Sequence, residues 1–229
     1  MTDDGAGVGH WGPSGRSPFV IGLTGPIASG KSTIAELLRQ RGAEVIDAVR
    51  VYRSLLQPGS ALWRQIVERF GPAIVGTDGE IDRVALGGVV FADPAALADL
   101  EGITHPAVVT EVRRRIARST APLIVLEAVK LVQSGLASDV DALWFIRADP
   151  EMRLQRLMTR SGMDEASARA RIAAAPDTVP AGVDVDATID NSGDLASTAA
   201  AIDNAWRAMR SGSVRRQHGP LLAAKKERS

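Results

Sequence analysis

The sequence predicts an α/β fold built on a parallel sheet, and three observations lead there. Short apolar, β-branched runs alternate along the chain with segments of helical periodicity. One of these runs passes through a glycine loop directly into an amphipathic helix. A long, mostly helical stretch then separates the second run from the third, as an insertion in a sheet would.

Five runs read as strands: Val20–Thr24, Glu44–Asp47, Leu123–Glu127, Ala142–Arg147 and Ala187–Asp190. The helix after the first begins near Lys31, carries Ile34, Leu37 and Leu38 on one face, and stops at Gly42. From about Val49 to Ser119 the apolar positions Leu62, Trp63, Ile66, Val67 and Phe70 recur at helical spacing. Trp63 and Phe70 are assigned there to core packing. Asp82 is placed as the N-cap of a helix through Val90, and Pro94 and Pro106 in first helical turns, which makes Thr104-His105-Pro106 a helix entry. Asp149-Pro150-Glu151 opens a further helix, and another follows from Asp164.

Composition narrows the class. Hydrophobic residues make up 45% and charged residues 24% of 229 residues, the balance of a soluble domain with a substantial core. Without cysteine, thiolate catalysis and thiolate metal sites are excluded. Basic and acidic residues number 27 each, which argues against a broadly basic nucleic-acid-binding surface. No apolar run is long enough to span a bilayer, and residues 1–17 lack the basic start and apolar centre of a signal peptide. The expected location is the cytoplasm. Residues 1–17 are expected to form a flexible extension. Residues 211–229 read as a basic tail, either solvated or in weak contact with an acidic partner.

The chemistry sits in Gly25-Pro26-Ile27-Ala28-Ser29-Gly30-Lys31-Ser32-Thr33, which fits G-x-x-x-x-G-K-[ST] between a strand and a helix. Glycines at both ends let the backbone turn tightly and leave room for a phosphate. Backbone N–H groups of Ala28, Ser29, Gly30, Lys31, Ser32 and Thr33 then converge on an anion at the positive end of a helix. Lys31 is expected on the β- and γ-phosphates, and the Ser32 hydroxyl on Mg²⁺. On the helix after Asp149, Arg153, Arg156 and Arg160 lie at three- and four-residue spacing and share a face. Such a face is either a solvated ion-pair surface or the closing cation set of a phosphate-transfer lid.

Taken together, these residues resemble the dephospho-coenzyme A kinases, over about Phe19 to Met209. The resemblance rests on the phosphate loop, Val45-Ile46-Asp47-Ala48, Thr104-His105-Pro106, Ser134-Gly135-Leu136, Arg156-Leu157-Met158 with Arg160, and Ile189-Asp190-Asn191-Ser192-Gly193. It implies a P-loop kinase fold: a parallel β-sheet flanked by helices, an inserted helical substrate domain at about 49–119, and a small helical lid at about 150–180, all within 18–210. It also implies transfer of the γ-phosphoryl group of ATP, with Mg²⁺, to the ribose 3′-hydroxyl of dephospho-coenzyme A. Lys31, Asp47, Glu127, Arg156 and Arg160 form the candidate catalytic set. His105 and Lys130 are acceptor-side candidates, and Ser32 holds the metal, with Glu127 joining through water. The Asp190–Gly193 turn is either an adenine neighbour or simply a strand-to-helix turn. Oligomeric state is left open.

Four departures from the family pattern stand out. Pro26 replaces a second loop glycine. Val49 replaces the aspartate proposed as base for the acceptor hydroxyl, an assistance worth about 10²–10⁴ in rate. Glu127-Ala128-Val129-Lys130 replaces an aspartate followed by Pro-Leu-Leu. Ala175-Pro176 stands where the lid has a glutamine. These changes leave three expectations in competition: a divergent active kinase, a nucleotide-binding homologue that transfers phosphate poorly, and a kinase for another small nucleoside or nucleotide.

Overall fold

The computed structural model describes residues 18–173, 178–179 and 182–210. The expectations for the two termini and for Ala175-Pro176 fall outside these residues. The chain divides into two compact units, one taking the chain up to Val45 and again from Ser119, the other Ile46–Arg118.

Five strands, β1 (Phe19–Thr24), β2 (Glu44–Asp47), β3 (Leu123–Glu127), β4 (Ala142–Arg147) and β5 (Ala187–Asp190), form one sheet in the order β2-β3-β1-β4-β5. β1 pairs in parallel with both β3 and β4, and β4 with β5. Alternation explains the face that builds the core. Ile21, Leu23, Leu123, Val125, Ala142, Trp144, Ile146 and Ile189 recur two apart and point the same way. Against them pack Ile34 and Leu38 of α1 (Lys31–Gln40) and Ile202 and Trp206 of α8 (Leu195–Arg210). Trp144 is wholly buried there and its indole N–H donates to the Met209 sulfur at 3.4 Å. Because the central strand β1 is covered on both sides by parallel neighbours, its C-terminal end and the loop that follows emerge at the carboxyl edge of the sheet. Ligands of open α/β sheets bind at that edge.

The Ile46–Arg118 unit is helical: α2 (Ala48–Leu55), α3 (Ala61–Phe70), α4 (Arg83–Ala92) and α5 (Pro94–Arg118). Its core joins Leu62, Ile66, Ile74, Leu86, Val90 and Ala96, with Trp63 and Phe70 packed against them, as the helical spacing predicts. The indole N–H of Trp63 donates to the Gly79 carbonyl at 3.0 Å. Asp82 caps α4 by accepting from Val84 and Ala85 N–H. Pro94 begins α5.

Pro106 does not begin a helix. It lies inside the 25-residue α5, so the helix entry read at Thr104-His105-Pro106 is corrected. A proline there removes the N–H that would bond the Gly102 carbonyl. Gly102 and Pro106 are both exposed, so water can meet that carbonyl, and the helix continues. Thr104, with its hydroxyl donating to Leu100 O at 2.8 Å, behaves as a mid-helix residue.

Glu111 on α5 accepts from the Arg114 Nε and Nη2 at 2.6 and 2.7 Å and from Arg115 Nε at 2.9 Å. These arginines hold its carboxyl down at about 2, from an ordinary 4.5. A lowered carboxyl stabilises fully above pH 4.5, and that contribution drains away as the pH falls toward 2. Glu111→Gln should therefore lower the melting temperature at pH 6 and narrow its gap to the parent by pH 2.5, measured by thermal unfolding across that range.

Candidate functional site

Between β1 and α1 the backbone enters the left-handed region at Ala28 (φ 60°) and Gly30 (φ 91°). For alanine this region is costly, and residues held there tend to belong to ligand-binding loops. Alternating left- and right-handed residues turn successive N–H groups inward. Gly30 also stands at the N-cap of α1 and provides no side-chain cap. Its carbonyl accepts from Thr33 and Ile34 N–H, at 3.0 and 3.1 Å. The helix therefore meets the loop with a first turn suited to an anion.

Lys31 is buried, and its ammonium donates to the carbonyls of Gly25 at 2.8 Å and Pro26 at 2.9 Å. Burial pulls its pKa from 10.5 to about 8; neighbouring Glu127 pushes it up and Arg153 pushes it down. Pro26, the departure that removed a donor, serves here through its carbonyl, which proline retains. One residue on, the Ser32 hydroxyl donates to Glu127 Oε1 at 2.7 Å. Glu127 ends β3, level with Leu23 of β1, so strand register brings the carboxylate to the loop.

The loop is supported from below. α6 (Pro150–Ser161) starts at Asp149, whose side chain accepts from Glu151 N–H, with proline in the first turn. One helical turn on, the buried Arg153 donates from Nε to Ile27 O at 3.0 Å. Arg156 donates from Nη2 to Asn191 O at 2.9 Å. Asn191, also buried, donates from Nδ2 to Ser29 O at 2.9 Å and accepts at Oδ1 from the Thr198 hydroxyl at 3.1 Å. A Cβ on Gly30 would lie 1.9 Å from that amide nitrogen, so this glycine is required by the protein as much as by a phosphate. Among the described residues, Ser29 Oγ and Arg156 Nη1 are buried without a hydrogen-bond partner. Both belong to the loop region, since Nη1 lies 3.5 Å from that same Gly30 Cβ position.

The structure thus brings Ala28, Ser29, Gly30, Lys31, Ser32, Thr33, Glu127 and Arg156 together. The three arginines of α6 differ in depth: Arg153 is a buried strut under the loop, Arg156 lies beside it, and Arg160 is exposed. Lys130, just after Glu127, is exposed. In the other unit, Asp47 caps α2, accepting at Oδ1 from Val49 and Arg50 N–H at 2.8 and 3.2 Å. Val49 is 43% exposed in the first turn of α2, and His105 is half-buried mid-way along α5. Thr198 was missed as a site residue, while Arg153 was read only as a lid or surface cation and Asn191 only as part of a turn. The Asp190–Gly193 turn is more than a simple connection, because Asn191 reaches the loop. A buried asparagine directly after the last strand was the available signal.

A hard cation suits the oxygen pair Ser32 and Glu127, and the uncapped helix, Lys31 and the unpartnered Arg156 nitrogen suit a polyphosphate. Among the described residues no group of three or more histidines or carboxylates is arranged to hold a metal ion.

Comparison with known proteins gives a consistent result. The family model described as Dephospho-CoA kinase matches residues 19–197. A dephospho-CoA kinase from Symbiobacterium thermophilum is 44% identical over 82% of this chain and 80% of its own length. One from Geobacter sulfurreducens is 40% identical over 82% of this chain and 96% of its own. Among solved structures, TT1252 from Thermus thermophilus aligns with a TM-score of 0.71 at 31% identity, covering 85% of this chain and 98% of that one. The dephospho-CoA kinase from Campylobacter jejuni shares the fold, with a TM-score of 0.57 at 23% identity over 85% of this chain and 98% of its own.

Proposed function

The chain belongs to the dephospho-CoA kinase family, and on that premise we propose that it moves the γ-phosphoryl group of ATP to the ribose 3′-hydroxyl of dephospho-CoA, yielding ADP and CoA. The observation that carries the reading is the joining of Lys31, Ser32 and Glu127 at the carboxyl edge of β1 and β3, under an uncapped helix. Phosphoryl transfer depends on positioning and charge neutralisation more than on covalent chemistry. Lys31 supplies a fixed positive charge to the terminal phosphates. Ser32 and Glu127 would hold Mg²⁺, which when bound neutralises charge across the β- and γ-oxygens. The free Nη1 of Arg156 faces the same phosphates, and Arg160, further along α6, closes over them with the lid of α6 and α7 (Glu165–Ala173).

His105, in the helical unit, is the acceptor-side candidate there, and Lys130, three residues after Glu127, is the one in the sheet unit. Asp47 orients the start of α2. No described helix is long and apolar enough to cross a membrane, and the reaction belongs in the cytoplasm.

Two assays test this. The purified chain with ATP and Mg²⁺ should form CoA from dephospho-CoA at roughly one turnover per second or faster, and should prefer it to nucleosides. Absent turnover with intact ATP binding would overturn the reading in favour of a binding homologue. Val49→Asp should raise kcat about ten- to a hundredfold by restoring base assistance. It should not lower stability, because a carboxylate is favoured in a first helical turn. An unchanged kcat would mean that another group already takes the proton, or that Val49 does not face the acceptor.

A further inference from the structure

We propose that Asn191 is the positioning residue of the phosphate loop: its amide fixes the Ser29–Gly30 segment in its anion-binding shape, while its backbone aims Arg156 at the same point. The inference rests on the phosphate-loop reading above, but not on the identity of the acceptor.

Four contacts fix this asparagine. Its N–H donates to Arg147 O at 2.8 Å, continuing the β4–β5 ladder by one residue beyond β5. Its carbonyl accepts from Arg156 Nη2 at 2.9 Å. Its Oδ1 accepts from Thr198 Oγ1 at 3.1 Å. Its Nδ2 donates to Ser29 O at 2.9 Å, and because a carbonyl can only accept, this contact decides which end of the amide is which. Both Asn191 and Thr198 are buried, so neither finds water as a substitute partner.

The Ser29 carbonyl precedes Gly30, whose left-handed backbone starts α1. Holding that carbonyl down turns the Gly30 N–H of the same peptide to the opposite side, because the two groups are antiparallel across a trans peptide. The amide of Asn191 also occupies the space that a Gly30 side chain would need, so the loop glycine and the asparagine require each other. The Arg156 Nη1 without a partner lies on the loop side of the same guanidinium. Two cationic or dipolar elements, one from the loop and one from α6, are thus referenced to a single residue on β5's exit. Asn191 need not touch nucleotide to do this.

Equilibrium ATP binding, measured without acceptor, tests the role in Asn191→Asp, Thr198→Val and Thr198→Ser. Asn191→Asp keeps the shape but has no donor for Ser29 O. It should weaken ATP about ten- to hundredfold, as loss of a buried hydrogen bond does. Thr198→Val, which never reaches the loop, should weaken ATP about three- to tenfold by leaving the buried Oδ1 without its donor and the amide less firmly held, and Thr198→Ser should restore it. The ratio of ATP to GTP affinity should stay unchanged throughout, and the KM for dephospho-CoA should move less than about threefold, against a rise in the KM for ATP.

A collapse of the ATP to GTP ratio would overturn the proposal in favour of direct reading of the base. ATP affinity unchanged in folded Asn191→Asp would leave Asn191 a packing residue only. Should Asn191→Asp not fold, Thr198→Val decides in the same terms. Failure of CoA formation in the parent protein would leave all of these binding results standing.

Discussion

Lys31→Met should abolish turnover while leaving the protein at least as stable at neutral pH. The activity loss should reach about 10²–10³-fold or more, the range seen on removing one preorganised charge-stabilising donor. Methionine keeps the buried stem and drops the ammonium. The stability expectation follows from the pKa of about 8 against an ordinary 10.5. Below pH 8 the lysine is charged in folded and unfolded chains alike, and folding bears the cost of burying that charge. Between pH 8 and 10.5 the folded chain sheds the proton first, the unfolded chain binds more protons, and stability rises with pH. The melting-temperature advantage of Lys31→Met should therefore be greatest at pH 7 and shrink by pH 10. Calorimetric melting and turnover at both values check the pair of claims. Normal turnover in the variant would remove the phosphate loop from the mechanism.

Gly25→Ala should be the most damaging single methyl in the loop. A Cβ there would lie 2.2 Å from the Ile146 carbonyl oxygen, a backbone atom of β4 that cannot swing aside, and the residue sits at φ 146°. Strain and a shifted strand together should cost about 3 kcal/mol or more. For a chain of this size that is roughly 6–12 °C in melting temperature, and ATP binding should weaken with it. An unchanged melting curve and unchanged ATP affinity would mean that the loop sits away from β4 in solution.

Much of this architecture was legible in the residues. All five strands were placed, because each is a short apolar run closed by polar or turn-forming residues. Asp82, Pro94 and Asp149 announced helix starts through chemistry that is local to a few residues. Pro106 misled for the same reason: a local rule about proline gave way to a helix whose packing over 25 residues outweighs one missing hydrogen bond. The phosphate loop was visible as a motif, but the reasons for its glycines were not. Gly25 answers to Ile146, about 120 residues on, and Gly30 to Asn191, about 160 on; no window along the chain contains both partners. Arg153 shows the limit of periodicity. Spacing grouped it with Arg156 and Arg160, yet only the position of the Ile27 carbonyl decides that it is a buried strut. Asn191 was quoted as part of a turn, and its side chain became informative only once β5 had placed it beneath Ser29.

Three tryptophans among the described residues make the chain its own spectroscopic instrument: Trp144 and Trp206 in the sheet unit, Trp63 in the helical one. Trp144 lies in the dry core under the sheet, with a sulfur as its indole partner. Trp63 lies half-buried in the helical unit with a carbonyl as its partner. Indoles in such unlike surroundings emit at different wavelengths, the core one further to the blue. Trp63 is the one tryptophan described in the helical unit, so comparing Trp63→Phe with the parent would isolate that unit's signal from the rest. Denaturant titrations of that pair would then read whether the helical unit and the sheet unit unfold in one cooperative step or in two, with no external label attached.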